Sequence, residues 1–88
     1  SAGIRGRDIK RLFDAVSFLR RNGIFIRVVP LKRKEKGLFF IEAPSLGTRV
    51  KGWPAEDVQR LVIEPLLPVA KANRQAANAV REATRHIR

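Results

Sequence analysis

Two changes of apolar period organise this chain. Up to Asn22-Gly23 the apolar residues recur three and four positions apart; from there to Trp53 they gather into short β-branched and aromatic runs, and beyond Trp53-Pro54 the helical spacing returns. Ile9, Leu12, Phe13, Val16 and Leu19 make one stripe within residues 8–21, DIKRLFDAVSFLRR, which predicts an amphipathic helix. Asp8 in its first turn and Arg20 and Arg21 in its last suit the helix dipole. Gly23 offers the left-handed cap that stops it. Three strands are expected next: IFIRVVPL (24–31), GLFFIEA (37–43) and TRVKGW (48–53). The charged stretch KRKEKG (32–37) joins the first two, and a turn at Pro44, Ser45 and Gly47 joins the others. Pro30 has no N–H for a ladder, so its strand should be an edge there or end near it. A helix then starts at Trp53-Pro54, with Glu56 and Asp57 in its first turn and Val58, Leu61 and Val62 as its apolar stripe. Pro65 and Pro68 are expected to break it and restart a last, Ala-rich helix over residues 66–87.

This order predicts an α+β fold: an N-terminal helix, a small antiparallel β-meander and Pro-broken C-terminal helices, the last used for oligomerisation. Residues 1–64 would form the binding domain and 65–88 the oligomerisation helix, as one structural unit.

Charge narrows the function. Nineteen Lys and Arg against eight Asp and Glu give 88 residues a net charge of +11. Such a chain attracts polyanions, and nucleic acid is the commonest of these. There is no cysteine, so no disulfide or thiolate metal site can form. The one histidine, His86, lies among Arg85 and Arg88, a common solvated position. The acids are scattered, and no glycine-rich phosphate loop is present. These features predict a non-enzymatic protein with no cofactor and no metal, although a small basic nuclease built on Arg, Lys and acids stays open. No apolar run approaches a membrane span, and SAGIRGRDIK lacks the apolar centre of a signal peptide. A soluble, cytoplasmic protein is expected, without a membrane partner.

Side-chain alternation locates a candidate surface. In the first strand Phe25, Arg27 and Val29 share one face, and the aliphatic Ile24, Ile26 and Val28 share the other, which should be core. In the second, Phe40 and Glu42 oppose Phe39 and Ile41, and Glu42 marks the outer side. In the third, strict alternation puts Arg49, Lys51 and Trp53 on one face, opposite Thr48 and Val50. The predicted binding face therefore carries Phe25, Arg27, Phe40, Arg49, Lys51 and Trp53, and Lys32, Arg33, Lys34 and Lys36 add the hairpin tip. Cations meet phosphates and exposed rings stack on unpaired bases, which favours single strands over duplexes. Burial of Phe25 and Phe40 beneath the C-terminal helix, and of Trp53 as the anchor of a helix start, stays open. A duplex-DNA or RNA binder and a protein-interaction or regulatory module are the alternative functions.

In the last helix Leu66, Val69, Asn73, Ala76, Val80, Ala83 and Ile87 are spaced three and four apart, a heptad seam of three repeats. Its flanks, Ala70, Ala72, Ala77 and Ala79, are small enough for close helix approach. The seam predicts a homo-oligomer, dimer or tetramer, unless the same stripe packs on the protein's own sheet.

The stretches RLFDAVSFLRRNGIFIRVV and GLFFIEAPSLGTRVKGW, followed by the Ala-rich tail, resemble in layout the archaeal ThermoDBP-related single-stranded DNA-binding proteins. The resemblance covers nearly the whole chain. It implies sequence-independent binding of single-stranded DNA by the N-terminal part, with oligomers gripping the strand.

Overall fold

The structure, a computed structural model, describes residues 6–32 and 37–85. Helix α1 runs over Gly6–Arg21 and buries Leu12, Val16 and Leu19 from the expected stripe. Its C-terminus closes as a Schellman motif. The Ile24 N–H donates to the Leu19 carbonyl at 3.0 Å and the Gly23 N–H to the Arg20 carbonyl at 3.2 Å. Gly23 takes φ 85°, open to glycine at little cost. The Asn22 side-chain amide adds a 2.8 Å bond to the Phe18 carbonyl.

The chain then forms β1 (Arg27–Pro30), β2 (Leu38–Ala43) and β3 (Thr48–Pro54), an antiparallel sheet in the order β1-β2-β3. Pro30 lies on an edge strand, where its missing N–H breaks no ladder. The first strand is shorter than expected: residues 24–26 precede the paired segment, yet they alternate buried and exposed as a strand would. Ile24, Ile26, Val28, Phe39, Ile41 and Ala43 face inward and pack with α1 and the C-terminal helices in one core. The Phe13 and Phe39 rings meet in an edge-to-face arrangement, with ring centroids 6.1 Å apart. The α+β architecture expected from the sequence is the one observed.

The prolines do not break the C-terminal helix. Helix α2 (Ala55–Val58) passes through a π-turn at Gln59–Ile63 into α3 (Glu64–Thr84). The wide turn closes with the Glu64 N–H donating to the Gln59 carbonyl. A π-turn loosens the backbone one step before Pro65, where a proline ring would otherwise crowd the preceding turn. Pro65 follows that turn at the start of α3. Pro68 lies inside the helix and on its exposed side, so water can serve the carbonyl it leaves without a donor.

Val62, Ile63, Leu66 and Ala70 bury the first part of this helix against the domain. The last tie is Asn73, whose side-chain amide donates to the Asn22 carbonyl at 2.9 Å. From Lys71 to Arg85 every described residue is exposed. The tail therefore projects from the domain, and the molecule measures 58 × 26 × 18 Å. Among the described residues no helix is long and apolar enough to cross a membrane.

Candidate nucleic-acid interface

The two faces of the sheet are chemically opposite. Both helical segments belong to the apolar core on the inner face. Two cross-strand rows occupy the other face. Val29, Phe40 and Lys51 align across β1, β2 and β3, and Arg27, Glu42 and Arg49 form the neighbouring row. Arg27, Val29, Arg49 and Lys51 are exposed, and Phe40 and Glu42 are half-buried in the middle strand. Phe25 continues the surface toward the end of α1 and is 58% exposed. Three cations against one carboxylate leave these two rows with a charge of +2.

Glu42 organises the charged row. Its Oε1 accepts a hydrogen bond from Arg27 Nη1 at 3.2 Å, and its Oε2 lies 3.9 Å from Arg49 Nε. Both pairs are open to solvent, so each contributes at most about 1 kcal/mol to folding. Their larger effect is geometric: one carboxylate holds two guanidinium groups from opposite edges of the sheet. The Arg27 guanidinium also lies 6.0 Å from the centre of the Phe40 ring, at the limit of a cation–π contact. Alternation places Glu42 outside, but its position between the two arginines emerges only once the strand register is known.

Trp53 is not on this face. The register pairs Phe39 with Trp53 and Phe40 with Lys51, which leaves Gly52 as an extra residue in β3. That bulge reverses the alternation: Lys51 points outward, and Trp53 packs half-buried against the core. Gly52 adopts φ 98°, a conformation that side chains resist. An isolated glycine within a strand pattern is the sequence signal for such a bulge. A Cβ on Gly52 would meet nothing within 4 Å, so backbone strain is the whole cost of adding one. Gly52→Ala is expected to destabilise the fold by about 1–2 kcal/mol. The lone tryptophan next to the bulge provides the fluorescence signal for that denaturant titration. An unchanged midpoint would speak against the left-handed bulge.

The other expected residues divide as follows. Lys32 is exposed after β1, while Arg33, Lys34 and Lys36 lie outside the described residues. Phe25 and Phe40 do not sit beneath the helices, because the alternation carries both to the opposite side of the sheet. The heptad seam splits in two. Leu66 is 2% exposed in the protein's own core, and Asn73 is committed to Asn22. Ala70, expected on the seam's flank, is fully buried. Val69, Ala76, Val80 and Ala83 remain exposed, with Val69 at 47% and Val80 at 62%. Ile87 lies outside the described residues.

No protein-family model matches the chain, and comparison with curated proteins and with solved structures finds no significant similarity.

Proposed function

We propose that this chain is a non-enzymatic binding protein for single-stranded nucleic acid, engaging DNA without regard to base sequence, and that it works as a homo-oligomer. One observation carries the reading: a sheet face uncovered among the described residues, on which Arg27, Arg49 and Lys51 surround Phe40 and lead to the exposed Phe25. Cations beside flat rings suit a strand whose phosphates and unpaired bases are both accessible. The net charge of +11 supplies the attraction and predicts strong salt dependence. The layout resemblance to the ThermoDBP-related proteins favours DNA over RNA.

Phe40 and Phe25 are the stacking rings in this mechanism. The base stack lies along the Val29–Phe40–Lys51 row, where the ring is flanked by an aliphatic side chain and a cation. Arg27 on one edge strand, and Arg49 and Lys51 on the other, take phosphates. Glu42 repels a phosphate from the middle of the neighbouring row and so steers the backbone to the margin of the sheet. Lys32, exposed just after β1, adds a further cation beside the sheet. The exposed Val69, Ala76, Val80 and Ala83 side of α3 is the contact for further copies, a dimer or a tetramer.

Fluorescence anisotropy with single-stranded and duplex oligonucleotides of equal length tests the reading. Tighter binding to the single strand is expected, with log K falling linearly in log salt. Equal or tighter binding to the duplex would overturn the stacking mechanism.

A further inference from the structure

The proposed function uses the outer sheet face and one side of the projecting helix, which leaves the other side of that helix without a role. Beyond Asn73, α3 makes no contact that could explain its composition, because every residue from Arg74 to Arg85 is exposed. A helix kept in water only for solubility would carry charges all round. This one separates them. At 100° per residue, Lys71, Arg74, Arg81 and Arg85 fall within an arc of about 80°, and Asn78 lies in the same arc. Ala72, Ala76, Ala79, Val80 and Ala83 occupy the opposite side. The four cations form a ridge about 21 Å long, from the rise of 1.5 Å per residue. The one acid of the tail, Glu82, stands at the rim of the ridge, 3.5 Å from Arg85.

The tail is also tied to the domain near the start of the outer face. Asn73 ties the helix to the Asn22 carbonyl, and Phe25 follows three residues later in the chain. Arg20 and Arg21, both exposed, end α1 beside that tie. The tail thus leaves the domain where the outer face begins.

We propose that the Lys71, Arg74, Arg81 and Arg85 side of α3 is a second binding surface for the phosphate backbone of the same single strand. This rests on the sheet-face reading and extends it: the sheet holds bases and phosphates, and the helix holds phosphates alone, with no ring to stack on. The ridge makes affinity depend on strand length. It also leaves the Ala/Val side of the helix free for another copy of the chain while the strand is bound. An anionic lipid surface is the less suitable partner, since the apolar side of the tail offers alanines and a valine in place of bulky anchors.

The test compares the wild-type chain with the triple variant Arg74→Gln/Arg81→Gln/Arg85→Gln. All three side chains are exposed and glutamine keeps helix propensity, so folding is retained and checked by circular dichroism. With a strand of about 30 nucleotides the log–log salt slope of the variant is expected to be shallower by about 2, at about 0.7 per lost phosphate contact. With a strand of about six nucleotides, within the range one small domain accommodates, the two proteins are expected to bind alike. An unchanged slope on the long strand would overturn the proposal. So would loss of binding to phosphatidylserine vesicles with no change on the long strand, which would make the ridge a membrane contact.

A second variant, Arg49→Gln/Lys51→Gln, separates this proposal from the one it rests on. If the sheet reading alone fails, that pair leaves both strand lengths unaffected while the tail variant still flattens the slope. If the ridge alone fails, the pair weakens both and the tail variant weakens neither.

Discussion

Phe39→Ala is expected to lower folding stability by about 3–5 kcal/mol. Phe39 is 2% exposed, sits in the central strand, and pairs with Pro30 on one side and Trp53 on the other. The edge-on contact with Phe13 connects it to α1. Truncation would therefore open a cavity where sheet and helix meet, and a chain of 88 residues has little else with which to refill it. Total stabilities are about 5–15 kcal/mol, so the variant should lie near the folding threshold. Phe40→Ala, one residue further on, removes the same side chain from the outer face and should cost far less, because Phe40 is only half-buried. Denaturant unfolding of the two variants side by side provides the measurement. Equal midpoints would mean that the sheet does not separate a core face from an outer face at these positions.

That separation was readable from the amino-acid order alone. Ile24, Ile26 and Val28 alternate with Phe25, Arg27 and Val29, and a period of two can serve only one buried side. The helix before them was equally plain, since Leu12, Val16 and Leu19 repeat at helical spacing and Asn22-Gly23 ends the pattern. Three features were not readable in the same way. Alternation counted through Gly52 puts Trp53 outside, and only the cross-strand register reveals the bulge that turns it inward. Pro65 and Pro68 argue for a broken helix, but a π-turn absorbs the first and solvent exposure tolerates the second. Leu66 and Asn73 fit a seam for another chain as well as they fit contacts within this one, because both demand a spacing of three and four. Period determines which side of an element is apolar; the identity of what covers it depends on where the neighbouring element ends. Here the domain ends at Asn73 and the helix continues.

The second large effect is expected on binding, with the fold left nearly intact. The triple variant Arg27→Gln/Arg49→Gln/Lys51→Gln removes all the cations from the two outer rows. Its salt slope on single-stranded DNA should fall by about 2, at about 0.7 per phosphate contact. The ion pairs lost with it, Arg27–Glu42 and Arg49–Glu42, are solvent-exposed, so folding stability should change by less than about 2 kcal/mol. Glu42 stays behind without partners, at the centre of the face, and its unbalanced charge further repels the strand. Phe40→Ala acts on the other half of the mechanism: it should weaken binding by about 1–3 kcal/mol while leaving the salt slope unchanged, since a ring carries no charge to exchange for counterions. Arg27 lies 6.0 Å from that ring, so the combined variant should not be additive. Anisotropy titrations over a range of salt concentrations distinguish the two signatures: a shallower slope for the cations, and a parallel displacement for the ring. A Phe40→Ala line that coincides with wild type would remove stacking from the mechanism, and a triple-variant line parallel to wild type would remove the sheet cations from it.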